Sequence, residues 1–91
     1  MTLTITLERK ERMGALKAYI FYVKDTVQQA ITLDMSPYLS HIFWADVHDI
    51  TTEVYVSATW TDGGGATGLE SITIGNEFTA SDILKVIVIG S

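Results

Sequence analysis

Ile83-Leu84-Lys85-Val86-Ile87-Val88-Ile89 and Tyr19-Ile20-Phe21-Tyr22-Val23 decide the fold. Both runs are rich in β-branched or aromatic residues and free of proline, the composition of strands. In a small antiparallel protein one sheet face is buried and the other wet, so strands alternate apolar and polar residues. These two are apolar on both sides, apart from Lys85. At about 25 cal/mol per Å², leaving several such side chains in water forfeits several kcal/mol. It also leaves segments prone to aggregate.

Two arrangements relieve this. The strands can run through the centre of a closed barrel or under a covering loop, or a second subunit can cover them. A chain with one small core favours the second, an obligate homo-oligomer whose interface resembles a core cut in half. The expected interface takes Tyr19, Phe21 and Val23 from one strand and Ile83, Ile87 and Ile89 from the other.

The rest of the chain reads as strands too, with Ile, Val and Thr at 29 of 91 positions and a single proline. Leu3, Ile5 and Leu7 alternate with Thr2, Thr4 and Thr6 in a first strand. Residues 8–14 read as a charged connection in which Gly14 supplies a positive φ. A second strand spans about 15–24, a short third about 28–33, and residues 34–40 allow a brief helical turn. Residues 41–49 read as a strand with Phe43, Ala45 and Val47 inward and Ile42, Trp44, Asp46 and His48 outward. Residues 53–61 alternate most cleanly, and 62–68 form a glycine-rich loop. Six to eight short strands with regular turn signals predict an all-β fold, a small antiparallel β-sandwich or barrel, in one domain over 1–91.

Length and charge bound the function. Scaling rules give a chain of this mass about 5,200 Å² of folded surface and about 64% burial, enough for one modest core. Apolar residues at 47% and charged ones at 19% exclude a disordered chain. No apolar run suits a membrane span, and the N-terminus lacks the pattern of a secretory signal, so synthesis in the cytoplasm is expected. Cysteine is absent, which removes disulfides and thiol chemistry. The net charge of −5 divides into +3 over residues 1–24 and −8 over 25–91. No Lys or Arg occurs between 25 and 84, which argues against a phosphate track and hence against nucleic acid. Arg9, Lys10 and Arg12 read as a solvated turn or as a basic projection that meets an acidic neighbour.

Motifs for chemistry are weak. Gly63-Gly64-Gly65-Ala66-Thr67-Gly68 fits GxGxxG by letter, but a strand rather than a helix follows it, so no nucleotide cofactor is expected. His41 and His48 fall on opposite faces of one strand, and Asp46 with His48 supplies only two ligands, so no metal is expected. Ser40, His41 and Asp46 offer residue types for nucleophilic catalysis without a GxSxG turn. Asp46, Asp49 and Glu53 show no apolar cleft to separate their acidities. Asp62 and Glu70 flank the glycine loop without calcium-loop spacing. Trp44, Trp60 and Tyr55 suggest an aromatic platform for carbohydrate or another small ligand, the alternative to an assembly role.

Ile5-Thr6 with Glu8-Arg9, then Gly14 and Lys17, then the closing Val86-Ile87-Val88-Ile89-Gly90 resemble small β-rich proteins of tailed-bacteriophage particles. Those proteins open on a Thr-rich strand, turn through a charged Gly-containing segment and close on an aliphatic strand stopped by glycine. The resemblance covers roughly a third of the chain and implies a virion structural protein, of capsid-decoration or head-associated type, working as a symmetric multimer. It carries no catalytic residues. The expectation is a non-enzymatic protein of the virion whose partners are its own copies and a capsid or other virion protein.

Overall fold

The computed structural model describes residues 3–61 and 70–91. The described residues form eight strands and no helix: β1 (Leu3–Met13), β2 (Leu16–Asp25), β3 (Ile31–Asp34), β4 (Ile42–Asp49), β5 (Val54–Tyr55), β6 (Ala58–Thr61), β7 (Ser71–Ile74) and β8 (Ile83–Gly90). A five-stranded sheet has the order β1-β2-β8-β4-β5 and a three-stranded sheet the order β3-β7-β6, with every pairing antiparallel. The expected all-β, sandwich-like architecture is present.

The core lies between the sheets. Tyr19, Phe21 and Val23 of β2, Leu84, Val86 and Val88 of β8, and Ala45 and Val47 of β4 face Ile31, Leu33, Ile72 and Ile74 of the small sheet. Met35, Leu39 and Phe78 close it from the connections. The accessible surface, 5175 Å², matches the value scaling gives for a monomer of this mass. One chain therefore buries a normal amount of itself.

Tyr19, Phe21 and Val23 were expected at a subunit interface, and the structure corrects this. They are at most 3% exposed inside the chain's own core and have no surface to offer. Their neighbours Ala18, Ile20 and Tyr22 take the outer face, half-buried, beside Ile87 and Ile89, with Ile83 at 41% exposure.

Three local readings also change. Residues 8–13 are not a connection, because β1 continues through them to Met13. A bulge between Leu7 and Arg9 absorbs one residue, and Gly14 at φ 60° makes the tight turn into β2. Phe43 points outward, 53% exposed, while Ile42 is buried. A bulge between Ile42 and Trp44 adds a residue and reverses the side-chain parity. The clean alternation over 53–61 is split between sheets: β5 pairs with β4, β6 pairs with β7, and Val56 is buried at the crossing. Residues 34–40, where the sequence allows a brief helical turn, make one turn, with the Tyr38 and Leu39 amides donating to the Met35 carbonyl.

Candidate functional site

The outer face of the five-stranded sheet is ordered in rows, because directly paired residues project to the same side. One row is Arg9, Ile20, Ile87, Asp46, and the next is Glu11, Ala18, Ile89, Trp44. On the other side of the first lies Thr6, Tyr22, Lys85, His48, Tyr55. The centre is thus an aliphatic and aromatic patch over β2, β8 and β4. Its flanks carry opposite charge, Arg9 on β1 and Asp46 on β4. Among the described residues no strand packs on this face.

Arg9 Nε donates to Glu11 Oε1 at 2.6 Å, an exposed pair that contributes little stability. Lys10 projects to the opposite side, its ammonium 5.8 Å from the Tyr19 ring centre, and Arg12 pairs with Lys17. The three cations expected to act together are therefore divided between the two faces of β1. The bulge at Glu8 brings that carboxylate to the Tyr22 hydroxyl. Burial first, then the hydrogen bond and charge of Glu8, push the Tyr22 phenol above 10.0. His48 and Tyr55 meet edge to face at 3.9 Å.

The carboxylates serve the turns. Asp25 accepts from the Val27 amide at 2.9 Å and Gln29 Nε2 at 3.0 Å. Asp49 Oδ1 accepts from the Thr51 and Thr52 amides, leaving Oδ2 buried. Asp82 is its titratable neighbour, and Asp82 Oδ2 accepts from the Thr79 amide at 3.1 Å. The bond to Asp49, then burial, hold Asp82 above the usual carboxylate range. Burial pushes Asp49 up, but the bonds from Asp82, Thr52 and Thr51 outweigh it and hold it below. Glu77 accepts from the Ser57 amide at 2.9 Å, which holds it low.

The catalytic and ligand constellations read from sequence are dispersed. The His41 ring stacks on Phe43, and its backbone pairs with Ser91, while Asp46 lies on the outer face of β4. Asp46 and Asp49 sit on opposite faces of β4, and Glu53 occupies the turn beyond it at φ 62°. Glu70 is buried and receives the Ser36 hydroxyl at 3.3 Å. Asp62 and the glycines from Gly63 to Gly68 lie outside the described residues. No group of three metal-ligating side chains occurs among the described residues. Trp44 and Tyr55 project from the outer face in different rows, whereas Trp60 pairs with the core residue Ile72 on the inner side of the small sheet. These three aromatics form no common platform. A hollow of about 380 Å³ is lined by Ser57, Ala58, Thr59, Thr73 and Gly75, none of them charged.

Ala18, Ile20, Tyr22, Trp44 and Asp46 complete the outer face and were not singled out as interface residues by sequence. The signal that finds them is Lys85: it shares its face with Ile83, Ile87 and Ile89, which marks that face as the outward one. Compared with protein-family models, curated proteins and solved structures, the chain has no match.

Proposed function

We propose that this is a non-enzymatic assembly protein whose outer sheet face binds a second copy of itself. The observation that carries this is the self-complementarity of the rows. A two-fold axis along the strands, between β2 and β8, sets Ile20 over the partner's Ile87, Ala18 over the partner's Ile89 and Arg9 over the partner's Asp46. Tyr22 then faces the partner's Lys85, an ammonium over an aromatic ring. Such an isologous contact repeats each pair twice.

The area suffices for a specific contact. Four overlapping strands about 4.8 Å apart and eight residues of about 3.4 Å each span about 500 Å², so two copies bury about 1,000 Å² together, the threshold for a specific contact. Burial of the aliphatic centre supplies the affinity, and the charged flanks fix the orientation.

The place of this assembly, we propose, is a tailed-phage particle, as a structural or decoration protein seated on a larger protein lattice. The resemblance of the two chain ends to such proteins supports that reading. Ile87→Lys tests the contact, since it puts a charge against the partner's Ile20. Loss of mass in sedimentation is expected, and an unchanged assembly contradicts the proposed face. Recovery of the protein from purified particles tests the virion role, and its absence from them contradicts it.

A further inference from the structure

A second, different surface of the molecule is left open. All eleven residues of β1 are exposed, and Leu3, Ile5 and Leu7 are 36%, 48% and 43% accessible. They project to the inner side, level with Asp25, Val23 and Phe21, but the three-stranded sheet does not reach under them. The far edge of β1 has no strand beside it among the described residues. Natural edges of this kind are blunted by charge or proline. Here charge begins only at Glu8, and Leu3-Thr4-Ile5-Thr6-Leu7 has neither.

Those five residues read the same in both directions. An antiparallel partner carrying the same sequence therefore finds a full match when centred on Ile5: Leu3 meets Leu7, Ile5 meets Ile5, and Thr4 meets Thr6. A slip by one residue sets leucine against threonine and loses it. We infer that β1 pairs edge to edge with β1 of a second copy about a two-fold axis at Ile5, joining two five-stranded sheets into one of ten. The pairing satisfies the open backbone edge, sets threonine against threonine on the outer face and brings six aliphatic side chains into one floor on the inner face. This contact is independent of the outer-face contact proposed above. A chain that uses both has two non-equivalent two-fold contacts, which suffices for growth beyond a dimer.

Sedimentation in the Ile87→Lys background separates the two surfaces. With the face contact removed, the mass is expected at twice the 10.0 kDa of one chain. Adding Thr4→Lys with Thr6→Lys, which sets like charges opposite each other, is expected to reduce it to a single chain. Thr4→Glu with Thr6→Lys is expected to restore the double mass, because each pair is then opposite in sign. Thr4 and Thr6 are exposed and Ile87 is half-buried on the outer face, so none of these substitutions enters the core. A single-chain mass for Ile87→Lys alone overturns the edge pairing and leaves the face contact standing. A mass unchanged from the unsubstituted protein overturns the face contact, and an unaltered mass on adding the paired lysines overturns the edge. As a second readout, Ile5→Cys in the otherwise native chain is expected to form a disulfide-linked dimer on mild oxidation, whereas Arg12→Cys is not. Equal linking of both, or of neither, overturns the inference.

Discussion

Leu7 and Phe21 are cross-strand partners on the same face of the large sheet, yet Phe21 is 1% exposed and Leu7 43%. The small sheet ends between them. Three strands cannot cover five at about 4.8 Å per strand, so the core reaches β2 and leaves β1 as an overhang. Phe21→Ala is expected to cost about 3–5 kcal/mol of folding stability, as for a buried aromatic in a close-packed core. Leu7→Ala is expected to cost under about 1 kcal/mol in dilute protein. Urea midpoints measure both, and equal costs would contradict the overhang.

Gly90 closes the other end of the sheet against residue 41. A Cβ on Gly90 would stand 1.9 Å from the His41 carbonyl oxygen, a backbone atom held by the pairing of His41 with Ser91. Gly90→Ala therefore forces the strands apart and is expected to destabilise by about 1–3 kcal/mol or more. A variant with an unchanged melting temperature would show that this approach is not native.

Asp49 and Asp82 give the fold a pH dependence of known sign. The unfolded value for either is 3.8. Asp82, held above it, keeps its proton longer in the native chain. Its contribution is full below the unfolded value and lost as pH rises through the native one. Asp49, held below, contributes above the unfolded value and loses that contribution as pH falls through its native one. Asp82→Asn keeps a donor for Asp49 without titrating. Its stability relative to the native chain is expected to rise from acid to neutral pH, and parallel stability profiles would contradict an Asp82 held above its usual range.

These carboxylates also show how far the sequence could be read. Alternation in β1 and β4 and the β-branched and aromatic runs of β2 and β8 made the all-β class legible, and Lys85 made the outward face of β8 legible. For β2 it was not: Tyr19, Phe21 and Val23 are as apolar as Ile20 and Tyr22, and Lys17 shares parity with the buried set. Only the pairing with β8 decides which side the small sheet covers. The bulges at Glu8 and Phe43 and the change of sheet at Val56 each depend on partner strands distant in sequence, so local alternation misreads all three.

Glu8 reaches Tyr22 because of one of those bulges. The phenol is expected to titrate above 10.0, and Glu8→Gln to bring it part of the way back, since burial is the larger cause. The tyrosine ring carbon shifts followed against pH by NMR report this. No change on substitution would place Glu8 elsewhere.

Arg9 and Asp46 end the same row on the outer face. Arg9→Glu is expected to weaken association by about 0.2–1 kcal/mol for each of two symmetric pairs, with Asp46→Arg added in the same chain restoring it. Sedimentation equilibrium at low salt reads both. Equal weakening by the single and the double variant would reject this register.

Molar mass of the unsubstituted protein in solution, by sedimentation equilibrium at micromolar concentration, bears most directly on the role of the uncovered sheet. At least twice the 10.0 kDa of one chain is expected. A single species at the mass of one chain across that range would contradict self-association through either surface.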